Sequence, residues 1–359
     1  MIMVTLRDIA NEAGVSTATV SNVINGNVSK VSRENAVRIQ RIIHKRQYIP
    51  NSSARTLAAK SSHIIAGILF GGQGVNMLKD PYNAEFFGEL VCAIQDRGYY
   101  MMIRYVNSYE ELIQSLRSWN VDGAVFVGTL DAYVGKIWED IQVPLIFTDS
   151  YTNQKNISNV SINDFKGGAL AAEYFLSKGH TTLGFTGYSI REHEKSVVSE
   201  RLDGFLSTLR SCGIKLAREQ LFYVPDGDPG KNIKKIAARL AFGKSGITGI
   251  FASADKLAIA LIEALAENGM RVPADISIIG FDDLSFTSNI TPRLTTIRQD
   301  ISKKARIAID LLFRQVEGKD AAPLNTVLDV SLIERDSVLP QKKSKKKWET
   351  IKRIPQKSS

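Results

Sequence analysis

LRDIANEAGVSTATVSNVIN, Leu6 to Asn25, is the stretch that decides how the first part of this chain folds. Leu6, Ile9, Ala10 and Ala13 recur at i, i+3, i+4 and i+7, which puts one apolar stripe on a helix. Gly14 stands where that helix needs a residue at positive φ to close. Ser16 then supplies a side-chain oxygen to cap a second helix, whose buried face is Val20, Val23 and Ile24. Two short helices joined by a tight glycine turn form a helix-turn-helix, the arrangement that lays its second helix in the major groove of DNA. The outward residues of that helix, Thr17, Ala18, Ser21 and Asn22, are small or hydrogen-bonding and include no carboxylate to repel phosphate. An ordinary two-helix hairpin in a core is the competing reading of this stretch alone.

Working outward, a third helix follows, capped by Ser32 and buried along Ala36, Ile39, Ile42 and Ile43. Its other side carries Arg38, Arg41, Lys45 and Arg46, either a solvated face or a set of phosphate contacts. Pro50 disfavours helix at Ile49 and so ends it. A short segment through Ala58 can restart as helix, but one or two turns are marginal in water without support. From His63 the pattern changes to alternating strands and helices. Ile64–Phe70, Tyr100–Val106, Gly123–Val127 and Leu145–Thr148 read as short buried strands, separated by helices over Ala84–Arg97, Glu110–Trp119 and Ala132–Asp140. Ser108 with Glu111 is a capping-box signature. A second half of similar length follows, with strands Leu183–Thr186, Leu221–Val224, Gly249–Ala252 and Ile276–Phe281 interleaved with four helices. Two such halves imply two parallel-sheet subdomains. Thr295–Ile297, helix Ile301–Glu317 and strand Val327–Glu334 remain at the end.

A chain of 359 residues has room for two or three domains, and 44% hydrophobic with 23% charged residues is a globular composition. The formal net charge of +9 is unevenly spread. Residues 1–62 hold nine Lys/Arg against three Asp/Glu, net +6, and residues 341–359 hold eight against one, net +7, so the body between them is net −4. Basic ends on a mildly acidic body imply a polyanion bound at the termini and a different partner in the middle. The lysine block from Lys342 to Lys347 is expected to repel itself and stay disordered. Cys92 and Cys212, far apart inside helical patterns, read as buried thiols of a reducing compartment. No apolar signal core opens the chain and no run is long enough to span a bilayer, so a cytoplasmic location is expected.

Ligands in open α/β sheets bind beyond the carboxyl ends of the strands, and polar residues gather at those places. Asp80 and Tyr82 follow the first strand, Asp149 ends the fourth, Arg201 opens onto a helix of the second half, Asp255 follows Gly249–Ala252, and Asp282 and Asp283 follow Ile276–Phe281. Carboxylates and a guanidinium converging on one cleft suit a ligand with many hydroxyls; the competing reading is that these acids cap helices and strand ends. No catalytic constellation is present. Gly72 and Gly74 follow a strand, but Met77 stands where a dinucleotide fingerprint needs its third glycine. There is no phosphate-binding lysine loop, and the four histidines lack metal-ligand spacing. Neither enzyme activity nor a cofactor is expected.

Residues Val4 to Ala58 resemble the headpiece of the LacI/GalR family of bacterial transcription regulators. The matching residues are Thr5-Leu6-Arg7-Asp8-Ile9-Ala10, Ala13-Gly14-Val15-Ser16, Thr19-Val20-Ser21, Val23-Ile24-Asn25, Tyr48-Ile49-Pro50-Asn51 and Ala54-Arg55-Thr56-Leu57-Ala58, and the likeness continues to about Pro340. The resemblance implies a helix-turn-helix headpiece over 4–50 and a hinge helix and linker over 51–62. It implies a two-lobed α/β core of the type I periplasmic-binding-protein fold over 63–340, and leaves 341–359 as a basic tail. The core's first lobe is then 63–163 with 292–324 and its second 164–291 with 325–340, the chain crossing near Asn163, Pro292 and Asn325. By the same resemblance DNA is contacted by Thr5, Ser16, Thr17, Ala18, Ser21, Asn22, Asn25, Arg55 and Leu57, with Leu57 wedged into the minor groove. Asp149, Arg201 and Asp282 occupy places where members hold a sugar or purine effector; the strand-end reading adds Tyr82 and Asp255 to the expected site, and a sugar or sugar phosphate is the expected ligand. Where members carry an asparagine before the Asp255 position this chain has Ala254. The implied function is a homodimeric repressor on a pseudopalindromic operator, controlled by a small effector. The alternatives are a family regulator that needs a corepressor or partner protein, and a solute-binding protein.

Overall fold

The computed structural model describes residues 4–24, 26–48, 61–70, 77–128, 131–152, 154, 156–190, 195–225, 229–243, 245–319 and 322–341. The chain divides into two compact units, Met1–His63 and Ile64–Ser359.

In the first unit, α1 (Leu6–Ala13), α2 (Thr17–Ile24) and α3 (Arg33–Lys45) close around Ile9, Ala10, Ala13, Val20, Val23, Ala36, Ile39 and Ile42. Gly14 has the positive φ, 63°, that the turn requires. Ser16 Oγ accepts from the Thr19 amide at 3.2 Å, and Ser32 Oγ accepts from Asn35 at 3.3 Å, so both helix starts are capped by the residues their sequence pattern marks. Thr5 and Asp8 form a reciprocal capping box on α1. Glu12 accepts from Arg46 at 2.7 Å and pairs with Lys45 at 3.5 Å, so these two basic residues tie α3 to α1.

The second unit holds two six-stranded sheets. β1 (Ile64–Phe70), β2 (Tyr100–Val106), β3 (Gly123–Val127), β4 (Leu145–Thr148) and β5 (Asn159–Ile162) lie in the first, in the order β5-β4-β3-β1-β2. Three helices, α4 (Pro81–Gln95), α5 (Tyr109–Trp119) and α6 (Asp131–Asp140), alternate with these strands. The chain then enters α7 (Asp164–Ser177) and builds the second sheet from β6 (Leu183–Tyr188), β7 (Leu221–Val224), β8 (Gly249–Ala252), β9 (Ser277–Asp282) and β10 (Thr295–Arg298), in the order β10-β9-β8-β6-β7. α8 (Val197–Ser211), α9 (Pro229–Phe242) and α10 (Asp255–Glu267) belong to this lobe. All these pairings are parallel, and the inner strands β1, β3, β4, β8 and β9 are buried on both faces, which is why they read as continuous apolar runs.

The crossings between lobes differ from two of those expected. Thr295–Arg298 pairs with β9, so the chain stays in the second lobe past Pro292 and leaves only after Arg298. It then forms α11 (Ile301–Val316), whose Ile301, Ala305, Ala308, Ile309 and Leu312 join the first lobe's core. The segment read as one strand, Val327–Glu334, is two. β11 (Asn325–Leu328) extends the first sheet beside β5, whereas β12 (Ser331–Ile333) pairs antiparallel with β10 in the second, so the last crossing falls at Asp329–Val330. Two short edge strands with two intervening residues look like one strand in sequence, because alternation does not reveal a change of sheet. Cys92 is exposed and Cys212 half-buried, not the buried thiols expected; Cys92 lies on the face of α4 away from Phe86, Phe87, Leu90 and Ile94.

α7 and α8 approach backbone to backbone. A Cβ on Gly168 would lie 1.8 Å from the Arg201 carbonyl oxygen, and one on Gly204 would lie 1.9 Å from that of Phe165. The approach seats Arg201 against the first turn of α7. Because backbone, not a flexible side-chain end, fills the space, Gly204→Ala has to push the helices apart. We expect a loss of at least ~1–3 kcal/mol, the usual cost of overpacking, read as a lowered urea midpoint with unchanged slope.

Candidate functional site

The headpiece presents the N-terminal half of α2. Thr17 and Ala18 are exposed, Ser21 and Asn22 are half-exposed, and the opposite face packs inward through Val20 and Val23. Ser16 faces Thr19 at the helix start, 2.9 Å between hydroxyl oxygens, and Thr5 is engaged with Asp8 in its cap. Asn25, Arg55 and Leu57, expected on DNA, lie outside the described residues, as do the hinge segment 51–60 and the tail 342–359.

In the core, four of the five residues expected around an effector, Tyr82, Asp149, Arg201 and Asp282, fall along one polar chain that passes through both lobes. On the first-lobe side, Tyr82 of α4 donates its hydroxyl to Asp149 Oδ2 at 3.0 Å. Lys304 of α11 donates to the same carboxylate oxygen, to Tyr82 Oη at 2.7 Å and to Gln299 Oε1 at 3.4 Å. Gln299, on the crossing between β10 and α11, donates to Asp282 Oδ1 at 2.6 Å. Arg201 Nη1 is 3.5 Å from that oxygen, while its Nε donates to Asp164 Oδ1 at 2.7 Å and its Nη1 to the Ser253 carbonyl at 2.5 Å. Tyr151 donates to Asp164 Oδ2. The chain therefore begins and ends on one loop, the residues 149–151 that follow β4.

Lys304, Gln299, Asp282, Arg201 and Asp164 are buried, Tyr82, Asp149 and Tyr151 are half-buried, and each charge is paired. Lys304 is 0% exposed and Arg201 6%, so both cations are held in the interior by carboxylates. Arg201 also lies over the Phe281 ring at 3.5 Å. Burial works against the Arg201 charge, but Asp164 and Asp282 outweigh it and raise its pKa. Burial pushes Asp164 up although Arg201 opposes the shift. Burial, reinforced by Asp149, raises Tyr82 well above the usual phenol range and leaves it a hydrogen-bond donor at neutral pH. Asp149 and Asp282 hold positive φ, 52° and 117°, a backbone cost that recurs at ligand sites. Asp149 Oδ1, Thr186 Oγ1 and Ser253 Oγ are buried with no hydrogen-bond partner among the described residues.

Asp255 stands apart from this chain. Its Oδ2 accepts from the Leu284 amide at 2.9 Å and its Oδ1 from the Thr296 hydroxyl at 2.5 Å. It fixes the loop after β9, whose Leu284 enters the first lobe's core. Asp283 is likewise internal, held by Arg298 at 2.6 Å and by Arg335 at 2.5 Å. Asp80 caps α4 and pairs with Lys256 at the start of α10, 3.4 Å away, across the lobes. Sequence reasoning missed Lys304, Gln299, Asp164 and Tyr151. Lys304 had a signal: Ile301, Ala305, Ala308 and Ile309 form the stripe of α11, and position 304 is inside it. A lysine there is a buried charge, and a buried charge needs a partner.

Residues 5–51 match the family model described as bacterial regulatory proteins, lacI family, and residues 172–338 match that of a periplasmic binding protein-like domain. The chain is similar to LacI-family regulators along nearly its whole length. It is 28% identical over 344 residues to the ribose operon repressor of Haemophilus influenzae, covering 94% of this chain and 99% of that protein. Among solved structures, the lac repressor dimer bound to operator and the anti-inducer ONPF is 25% identical, covers 94% of this chain and all of that one, and superposes with a TM-score of 0.80. A LacI family transcriptional regulator from Enterococcus faecium with bound ribose is 26% identical over 78% of this chain and 100% of its own, with a TM-score of 0.67. The chain thus joins a headpiece that matches the lacI-family model to a two-lobed α/β core. No helix among the described residues is long and apolar enough to cross a membrane.

Burial, opposed by Arg201 and Gln299 and aided by Asp80 and Asp164, pushes Asp282 up to about 7. An unfolded aspartate titrates near ~3.9. Between those values the native state keeps a proton that the unfolded chain has released. The associated stability is therefore complete below about pH 4 and is lost as pH rises towards 7. Asp282→Asn mimics the protonated form and removes the dependence. Urea denaturation of both proteins should show the variant gaining on the parent between pH 5 and pH 7; a gap that stays constant with pH would place the proton elsewhere.

Proposed function

We propose that this protein is a homodimeric transcriptional repressor whose operator affinity is set by a small sugar bound between the lobes of its core. The observation that carries the reading is the buried acceptor set in the core. Asp149 and Asp282 sit at the carboxyl ends of strands in different lobes, in strained backbone, and Asp149 keeps one buried oxygen without a donor among the described residues. A carboxylate oxygen in that state is costly unless something donates to it, and a sugar hydroxyl does so. The effector residues of the proposal are Tyr82, Asp149, Arg201 and Asp282, with Asp255 acting through the loop it fixes. A family member with bound ribose and a relative named for the ribose operon support the ligand class.

DNA recognition falls to α2. Thr17, Ala18, Ser21 and Asn22 form a neutral reading surface, with Ser16 and Thr5 at the helix starts, and Asn22 offers the paired donor and acceptor that match adenine in the major groove. Asn25, Arg55 and the wedge Leu57 belong to the same proposal. Two headpieces reading equivalent half-sites require a pseudopalindromic operator, and such a regulator acts in the cytoplasm, where that DNA is.

Fluorescence anisotropy with the operator from the protein's own promoter region tests this directly. Addition of the cognate sugar should change affinity by about 5–150-fold, the usual range of such coupling: release marks an inducer, tightening a corepressor. Asn22→Ala should cost about 1–3 kcal/mol on operator and leave random-sequence affinity nearly unchanged. Equal loss on both DNAs would remove Asn22 from base reading, and operator affinity indifferent to every sugar would remove the control.

A further inference from the structure

We propose that Lys304 makes the cleft selective for uncharged sugars over their acidic counterparts, by neutralising Asp149 while presenting no donor of its own to a ligand. The inference rests on the cleft being a sugar site and goes beyond that reading by fixing the charge of the ligand and naming the residue responsible.

The reasoning is an inventory of donors and acceptors. A lysine ammonium has three N–H donors and no acceptor. The Lys304 ammonium faces three acceptors, Asp149 Oδ2, Tyr82 Oη at 2.7 Å and Gln299 Oε1 at 3.4 Å, and its side chain is fully buried. All three donors are engaged within the protein. The other buried cation of the cleft, Arg201, is held by Asp164, Asp282 and the Ser253 carbonyl. The buried polar atoms of the cleft left without a partner among the described residues are a carboxylate oxygen, Asp149 Oδ1, and two hydroxyls, Thr186 Oγ1 and Ser253 Oγ. None of the three is a cation.

A ligand carboxylate or phosphate entering here brings its lone pairs against those of Asp149 Oδ1, while the Lys304 ammonium and the Arg201 guanidinium are already engaged. It would lose its water without gaining a charged donor, which is costly for an anion. A hydroxyl donates to Asp149 Oδ1 and exchanges hydrogen bonds with the two hydroxyls. Lys304 is a positioning residue in this scheme: together with Tyr82 it holds Oδ2, which leaves Oδ1 as the face offered to the ligand. Tyr82 stacks on Phe86 with ring centroids 6.0 Å apart, and the ammonium lies 5.4 Å from the Phe86 centroid, so the triad is set in an aromatic wall.

Changing the charge pair one partner at a time tests the assignment. Asp149→Asn leaves the Lys304 ammonium without its counter-ion, so the site should accept an anion. The double variant Asp149→Asn/Lys304→Met has neither charge and should not. Calorimetry with glucuronate and with inorganic phosphate as probes should show binding to Asp149→Asn about tenfold or more tighter than to the parent, the scale of one charge-assisted hydrogen bond. The double variant should bind no better than the parent. General damage to the site weakens binding and does not create it, so a gain confined to the single variant isolates the ammonium. Equal binding by all three proteins overturns the assignment.

A thermal-shift panel of pentoses and hexoses, their uronates and their phosphates on the full chain supplies the second arm, which does not depend on any variant folding. Stabilisation of the parent by neutral sugars and not by the acids is expected, and stabilisation by uronates or sugar phosphates alone overturns the selectivity. Silence from the whole panel together with a working charge exchange would leave Lys304 as assigned and count against sugar control instead.

Discussion

The interaction on which the core depends is the pairing of charges that have no access to water. Arg201 and Lys304 are among the most buried polar side chains of the chain, and each is held by carboxylates that are themselves buried. Removing one partner of such a pair is costed at about 3–5 kcal/mol, because the remaining charge is stranded. The packing around the pairs follows from this. Gly168 and Gly204 bring α7 and α8 to backbone contact, so that Arg201 reaches Asp164 at the first turn of α7. Leu284 plugs the first lobe's core from a loop that Asp255 fixes in the second. Sites that look redundant in a list of acids therefore have separate tasks, some facing a ligand and some holding the frame.

The same pairs sit at the places where the chain changes lobe. Asp164 is the first helical residue after the crossing at Asn163, Gln299 lies on the second crossing, and Asp329, on the third, pairs with Lys166 at 2.6 Å. The first two belong to the buried chain and the third is an exposed pair, which by itself contributes little. A buried hydrogen-bond chain running along two of three connections gives lobe position and cleft electrostatics a shared physical basis. Tyr151 and Lys256 reach across the lobes to Asp164 and Asp80, so these contacts also depend on how the lobes are set.

The architecture was largely legible in the sequence because it is carried by periodicity. Helical stripes and buried apolar runs located the three headpiece helices and most strands of both sheets, and capping signals placed helix starts at Ser16, Ser32 and Ser108. What periodicity does not carry is which sheet a strand joins, so the crossings after Arg298 and at Asp329–Val330 were displaced from their expected places. The site was legible in part. Strand-end acids pointed to Asp149 and Asp282, since polar residues at those ends are exceptions to an apolar pattern. Lys304 and Gln299 come from far along the chain and meet Asp149 and Asp282 only once α11 packs back on the first lobe. Asp255 and Asp282 look alike in sequence, each standing at the end of a strand. Their difference is geometric: both Asp255 oxygens are engaged by the Leu284 amide and the Thr296 hydroxyl.

A ligand alters DNA affinity only through a difference in its own affinity for two arrangements of the protein. The proposed cleft has a physical origin for such a difference. Its acceptors are supplied by both lobes, Asp149 from the first, Asp282 and Ser253 from the second, so a sugar spanning them binds best at one lobe spacing. Gln299 is joined to Lys304 on one side and Asp282 on the other at the connection itself, where relative motion is smallest in a hinged body. The cation that neutralises Asp149 is thus held near the pivot, while the contact between Lys256 and Asp80, away from the connections, is more sensitive to closure. In that arrangement the charges stay paired as the lobes move, and the energy that distinguishes the two states comes from hydrogen bonds to the ligand, not from exposing a buried ion.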